Sequence, residues 1–326
     1  MTGRARVVIA IPTYNGARFL RAALHCALNQ TYRDIEILVV DDCSSDETSD
    51  VASSFAPRVI AYENEIHRGI GGNWNRCVEL SKGAAYLLIA HQDDLMSATL
   101  VERAVELLER EPAAGFAMAP VEQIDEKGRV IEARESAEGD FVRPGAEYFE
   151  RLMEGSMPMW GPVAGVVRRA LYDQAGVFDE TYSYAVDLQM HFRMLLQADA
   201  GFLAEPRYQW RRHENQATSR HNKGQRYEEV IRAKLEGVKL AERSGGFDPP
   251  ALARLRRAAA RDCCKAARRY ALADAGYARR HLRHAWSLCH GSLLKNDFLA
   301  GSLRMIWTGL FGPTAAGRAR FERTGI

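Results

Sequence analysis

Val7-Val8-Ile9-Ala10-Ile11-Pro12-Thr13-Tyr14-Asn15 and Ile35-Glu36-Ile37-Leu38-Val39-Val40-Asp41-Asp42 decide how this chain folds. Each is a nearly continuous apolar run rich in β-branched residues, as a strand buried on both faces requires. Each then ends in a polar cluster. Between them Phe19, Leu20, Ala23, Leu24, Ala27 and Leu28 recur at helical spacing, with Asn15 placed to cap the helix. After the second run, Ser44-Ser45-Asp46-Glu47 has the pattern of a capping box that opens another helix. A third strand is expected over 58–62, a third helix over 71–80 and a fourth strand over 85–90, which stops at His91-Gln92-Asp93-Asp94. Repeated βα units predict an α/β fold with a doubly wound, mostly parallel sheet flanked by helices, its ligands sitting beyond the carboxyl ends of the strands.

Further along, the pattern loosens. A helix over 102–110 precedes a strand over 115–124, and the turn Asp125-Glu126-Lys127-Gly128 signals a hairpin, so the second half is expected to be mixed. Strands over 163–167 and 202–205 bracket a helix over 187–197. Beyond Gly224 the pattern is almost purely helical, broken at Gly245-Gly246 and Pro249-Pro250. The expected organisation is an α/β domain over 1–223, with halves 1–115 and 116–223, and a helical extension over 224–326.

Composition narrows the class. The 326 residues are 47% hydrophobic and 26% charged, which excludes collagen-like, coiled-coil and disordered chains. A net charge of +2 makes no case for nucleic acid as a partner. The distribution is uneven, however: from Gly245 to Ile326 there are 15 Lys/Arg against 5 Asp/Glu, so the tail carries +10. Arg256, Arg257, Arg261, Lys265, Arg268 and Arg269 interleave with alanines there, and Trp286, Trp307 and Phe311 follow. Docking on an anionic membrane leaflet and packing as a helical cap both fit this pattern. The apolar stretch 298–311 contains Arg304 and is shorter than the roughly 20 residues that span a bilayer. The six cysteines, Cys26, Cys43, Cys77, Cys263, Cys264 and Cys289, have no C-x-x-C or zinc-like spacing, and no apolar signal region opens the chain. A cytoplasmic protein is expected, with peripheral attachment to the inner membrane face as an extension of that reading.

The polar clusters carry the chemistry. Thr13-Tyr14-Asn15, Asp41-Asp42 and Asp93-Asp94 all fall at strand ends, where neighbouring carboxylates raise one another's pKa unless a cation or polyol neutralises them. Asp93 and Asp94 offer hard oxygen ligands suited to Mg²⁺ or Mn²⁺ with a diphosphate, and Asp41 or Asp42 can accept hydrogen bonds from a base or ribose. A single Asp-Asp pair can equally terminate a strand or cap a helix, but three clusters in register count against that. Gly69, Gly71 and Gly72 lack the spacing of a dinucleotide fingerprint, which excludes NAD or FAD.

The order of motifs resembles the family-2 glycosyltransferases of the GT-A fold over about residues 5–220. The similar segments are 11–16, 28–32, 39–46, 69–75, Gln92-Asp93-Asp94, Gly176-Val177-Phe178-Asp179-Glu180 and Asp187-Leu188. The resemblance implies an inverting transferase. Its donor is a nucleotide-diphospho-sugar, a UDP-sugar foremost, and its acceptor is a saccharide or lipid-linked hydroxyl, as in cell-surface polysaccharide or glycolipid synthesis. Pro12, Thr13, Tyr14, Asn15, Asp41, Asp42, His91, Gln92 and Asp93 would then line the donor, with Asn75 reaching it from the third helix. Asp93 and Asp94 would hold the metal, and Asp187 would be the catalytic base. Arg211 and His213 belong to Tyr208-Gln209-Trp210-Arg211-Arg212-His213, similar to a Tyr-Arg-x-His ending of many family members. They are expected to close on the diphosphate, His213 as metal ligand or phosphate donor. Two positions depart from the family pattern: His91 stands where an acidic residue is usual, and Val186 precedes Asp187 where a Glu is usual. The rival readings are a sugar-nucleotide-binding protein with a degenerate site and a nucleotidyltransferase. The latter would need a glycine-rich basic loop that residues 13–18 supply poorly.

Overall fold

The computed structural model describes residues 6–133, 139–155, 165–205, 207–216, 223–270 and 274–289. The first half follows the expected rhythm: β1 (Val7–Thr13), α1 (Ala17–Leu28), β2 (Ile35–Asp41), α2 (Thr48–Ser53), β3 (Ile60–Glu63), α3 (Gly69–Leu80) and β4 (Tyr86–Ile89). β1 is buried along its whole length because it has a parallel partner on each side, β2 and β4. The register sets Thr13 beside Asp41, and the Asp42 N–H donates to the Thr13 carbonyl at 2.9 Å. The polar clusters therefore share one edge of the sheet.

Neither helix cap is the one read from the sequence. Asn15 takes a left-handed φ of 49°, which Asn tolerates better than most residues, and its side-chain oxygen accepts the Ser45 N–H at 2.8 Å. α1 begins instead at Ala17, whose N–H donates to Asp46 Oδ2 at 3.1 Å. α2 begins at Thr48, whose N–H reaches Asp46 Oδ1 at 3.1 Å. One carboxylate thus serves two helix starts, one of them distant in sequence.

The second half contains β5 (Leu95–Met96), α4 (Leu100–Arg110), β6 (Ala114–Met118), β7 (Val121–Ile124), β8 (Val130–Ala133), β9 (Phe141–Arg143), α5 (Gly145–Glu154), β10 (Gly165–Arg168), α6 (Arg169–Ala175), α7 (Val186–Leu195), β11 (Asp199–Phe202) and β12 (Tyr208–Arg211). The main sheet has the order β3-β2-β1-β4-β10-β6-β11-β9 and is mostly parallel, with β10 and β9 reversed. The stretch 115–124, expected as one strand, is two. Pro120 has no N–H for a ladder, and the chain leaves the main sheet after β6 for a second sheet of order β5-β12-β7-β8. β7 and β8 form the expected hairpin. The strand expected over 202–205 lies at Asp199–Phe202, and β12 was not expected at all. Residues 163 and 164 of another expected strand lie outside the described residues. Ile9, Ile11, Leu24, Val39, Leu88, Val101, Leu108 and Val166 form the centre of the main core.

The chain continues through α8 (Lys223–Ser244), α9 (Pro249–Tyr270) and α10 (Ala275–Cys289). It divides into two compact units, Met1–Phe149 with Pro158–Glu229 and Glu150–Met157 with Val230–Ile326, so the boundary falls inside α8. The core of the second unit is made of Ile231, Ala260, Cys263, Cys264, Ala266 and Ala285, small side chains that let helices pack closely. Its buried Lys234 is held by Asp262 at 2.6 Å and by the Met153 carbonyl at 2.8 Å. Exposed Arg257, Arg261, Lys265 and Arg268 share one face of α9. Trp307, Phe311 and the stretch 298–311 lie outside the described residues. Among the described residues no helix is long and apolar enough to cross a membrane.

Candidate active site

A cavity of about 520 Å³ lies at the carboxyl ends of β1, β2 and β4, lined by Pro12, Thr13, Tyr14, Asn15, Asp42, His91, Gln92 and Asp93 among others. At one end the rings of Tyr14 and His67 meet with centroids 4.4 Å apart. Buried Asp42 fixes the loop that carries His67: it accepts the N–H groups of Arg68 and Gly69, each at 2.8 Å, and Asn64 Nδ2 at 2.8 Å. His67 Nδ1 stands 3.0 Å from the same carboxylate. Gln92 is a strut for the β1 end, its side chain accepting the Tyr14 N–H at 2.9 Å and donating to the Tyr14 carbonyl at 3.2 Å. A Cβ on Gly16 would sit 2.1 Å from Gln92 Oε1, so a larger residue there would push this strut aside.

Three expected donor residues are placed differently. Asp41 is absent from the lining and binds the Ser44 hydroxyl; burial pushes its carboxyl up, and the Ser44 hydroxyl and N–H pull it only part of the way back. Asn75 faces the other way, accepting the Phe178 N–H at 2.7 Å and donating to the Phe178 carbonyl at 3.0 Å and to Glu180 at 2.9 Å. Asn73, which was not expected, is the asparagine on the cavity wall, donating to the Val40 carbonyl at 3.0 Å. Arg211 is buried in β12 with its guanidinium committed to the carbonyls of Asp93, Asp125 and Glu126 at 2.8, 3.1 and 3.1 Å. It braces the Asp93 loop and does not line the cavity.

The centre of the site is acidic and rich in imidazole. Ligand atoms of His91, Asp93 and Asp94 lie within 4.8 Å of one another, and His213 Nε2 is 2.8 Å from Asp93 Oδ2. Asp93 faces the cavity, whereas Asp94 lies behind it, with Oδ1 on the Arg211 N–H at 2.8 Å and Oδ2 3.2 Å from His91 Nδ1. Burial would push both carboxyls up. The His213 hydrogen bond and the His91 charge bring Asp93 below its ordinary range, while the Asp93 charge adds to burial and keeps Asp94 above it. Burial would lower His91, but its bond to Asp94 and the charges of Asp93, Asp94 and Asp187 raise it overall. His91 also stacks on Trp74, with centroids 5.6 Å apart. A divalent cation fits the His91, Asp93 and Asp94 set, whose ligand atoms lie close enough to share one ion. These three would contact it, and His213, bonded to Asp93, would support them.

The facing wall comes from 180–187 and 210–216. Asp187, in the first turn of α7, lines the cavity beside Tyr182, Tyr184 and Val186. Burial pushes its carboxyl up, and the Leu188 N–H and the His91 charge only partly offset this. The sequence reading missed Arg18, His67, Arg68, Glu180 and Trp210 on the lining. His67 and Arg68 could have been found, since they precede Gly69 in the loop leaving the third strand at the same sheet edge.

A mostly parallel sheet with this crevice at its carboxyl edge and a second small sheet after it defines the class: proteins of the GT-A fold. The chain belongs to glycosyl transferase family 2, whose model matches residues 8–174. It is 29% identical to an uncharacterised glycosyltransferase of Rickettsia typhi over 219 residues, 65% of this chain and 66% of that protein, just under two thirds of its length. Residues 1–349 of S. aureus TarS share the fold, with a TM-score of 0.71 at 15% identity, covering 98% of this chain and 92% of that one. The same TarS portion has been solved with UDP-GlcNAc, with a TM-score of 0.62 at 17% identity over 91% of this chain and 92% of that one. A mannosyltransferase of Pyrobaculum calidifontis, solved with GDP-Man and Mn²⁺, matches with a TM-score of 0.53 at 18% identity over 96% of this chain and 89% of that one.

Proposed function

We propose that this chain transfers a sugar from a nucleotide-diphospho-sugar, a UDP-sugar foremost, to an acceptor hydroxyl with inversion at the anomeric carbon. The observation that carries this reading is that Tyr14, Asp42, Asp93, His213 and Asp187 border one cavity. Tyr14 and His67 offer rings for a base, and Thr13, with Asp42 behind the loop, borders the same end. A divalent ion, Mn²⁺ or Mg²⁺, would be held by His91, Asp93 and Asp94, with His213 beside Asp93, and would supply charge neutralisation to the leaving diphosphate. Arg18 and Arg68 add positive charge at the rim. Asp187 removes the acceptor proton as the hydroxyl attacks, and its burial makes it a stronger base than an exposed carboxylate. A saccharide or lipid-linked acceptor would lie along Tyr184 and Trp210, half-buried rings whose faces suit a sugar.

The exposed basic stripe of α9 supports peripheral docking on an anionic membrane surface, where a lipid-linked acceptor would lie. Each Lys or Arg near such a surface contributes about 1 kcal/mol. Arg261→Ala should therefore weaken co-sedimentation with anionic vesicles about fivefold, and equal binding by the variant would sink the idea.

The test of the donor reading is thermal melting with UDP-, GDP- and dTDP-sugars, with and without Mn²⁺. A true donor binds only the folded state and raises the melting temperature. Mn²⁺ should enlarge that rise in the wild type and leave Asp93→Asn unaffected. No rise with any sugar nucleotide would reject the reading.

A further inference from the structure

α7 starts without a cap of its own. Its N-cap, Ala185, has no polar side chain, and Asp187 Oδ1 accepts only the neighbouring Leu188 N–H at 2.7 Å. The N–H groups just ahead converge on one carboxylate 44 to 46 residues downstream, that of Glu229 on α8. Glu229 Oε2 accepts the N–H groups of Ser183, Tyr184 and Ala185 at 3.0, 2.6 and 3.0 Å. Oε1 accepts the Ser183 N–H at 3.1 Å and the Ser183 hydroxyl at 2.6 Å. Burial alone would push this carboxyl up, but the Ser183 hydroxyl and the three N–H groups outweigh it and hold it below its ordinary range. The carboxylate is therefore charged at neutral pH and complements the positive end of the helix.

The segment held in this way is the wall itself. Tyr182, Ser183, Tyr184, Val186 and Asp187 all line the cavity, while Glu229 does not. Glu229 also lies beyond the residues that the family model matches. We infer that Glu229 is a positioning residue that sets the placement of Asp187 and the acceptor wall through the 183–185 amides without touching substrate. This rests on the reading of Asp187 as the general base.

The experiment uses the full chain and needs no acceptor. Hydrolysis of UDP-GlcNAc, UDP-glucose or GDP-mannose in Mn²⁺, whichever the wild type cleaves, lets water stand in for the acceptor. Nucleotide affinity is read by calorimetry and loop order by amide exchange. Since a displacement near 1 Å costs about 10²-fold, Glu229→Ala should lower kcat about 10- to 100-fold. Nucleotide Kd should stay within about twofold, and the 183–185 amides should exchange faster. Glu229→Gln keeps an accepting oxygen and should recover part of kcat. Unchanged kcat in Glu229→Ala, or a Kd weakened by the same factor as kcat, would overturn the proposal. If Glu229→Ala does not fold, Glu229→Gln decides by the same split between kcat and Kd. A wild type that cleaves none of the three, or an Asp187→Asn variant with full activity, would overturn the reading of the site and this proposal with it.

Discussion

The two walls of the crevice are built on different principles. On the donor wall, each polar group follows directly from the strand that carries it: Tyr14 after β1, Asp42 after β2 and Asp93 after β4. Neighbouring strand ends tie these groups together through contacts such as Asp42 N–H to Thr13 and Gln92 to Tyr14. On the facing wall, the proposed acceptor side, the decisive contacts are long-range. Asp187 lies on a helix whose start is held by Glu229, and Trp210 lies on a strand paired with β5 and β7. A wall made of adjacent strand ends is rigid and suits nucleotide binding. One assembled from distant segments depends on a few long-range contacts, so damage there should change catalysis before it changes affinity.

The sharpest test of this contrast is Asp187→Asn. Turnover should fall by about 10²-fold or more while nucleotide affinity stays near that of the wild type. The acid limb of the wild-type rate should lie above the ordinary carboxylate range, because the base must be ionised and burial raises its pKa. The same shift fixes the sign for stability. A carboxyl with a folded pKa above its unfolded one binds its proton more tightly in the fold, so stability falls as pH rises through that interval. The cost is fully present above the folded pKa, where Asp187→Asn should raise the melting temperature. A lower melting temperature with normal turnover per folded molecule would make Asp187 structural.

Gly16→Ala probes the opposite wall. Its Cβ would displace Gln92 and break both bonds to Tyr14. At about 1 kcal/mol for a typical net hydrogen bond, loss of the two should weaken nucleotide affinity by up to about 30-fold with kcat little changed. A loss confined to kcat would erase the contrast between the walls.

Asn75 ties the two walls together, so Asn75→Ala should act mainly on stability. Loss of its bonds to Phe178 and Glu180 should cost about 1–3 kcal/mol, read as a lower denaturant midpoint, with affinity and turnover per folded molecule nearly unchanged. A change in nucleotide affinity larger than the change in stability would return Asn75 to the donor site.

The same contrast explains what could be read from the sequence. The β1–β4 half was legible because buried parallel strands are apolar throughout and their polar ends must face one edge. Asp42, Asp93 and Asp187 reached the cavity as expected. Asn75 did not, because residues 73 and 75 point about 200° apart on a helix and spacing alone could not tell which faced inward. Asp94 does not line the cavity, its oxygens meeting Arg211 and His91, yet it stays in the expected cluster with Asp93. β12 left no local signal, since its four residues show no alternating burial and pair with distant segments. The shared cap of Asp46 and the cap from Glu229 were equally invisible, because capping rules look only a few residues ahead.

The central claim is that Asp187 works across the cavity from a donor held by the opposite wall, in a single displacement. Proton NMR of the sugar released in the first moments of hydrolysis of whichever of UDP-GlcNAc, UDP-glucose or GDP-mannose the protein cleaves tests it directly, before mutarotation mixes the anomers. The α-linked donor should give the β-anomer first, at a rate that collapses in Asp187→Asn. Release of the α-anomer, at a rate insensitive to Asp187, would contradict the account.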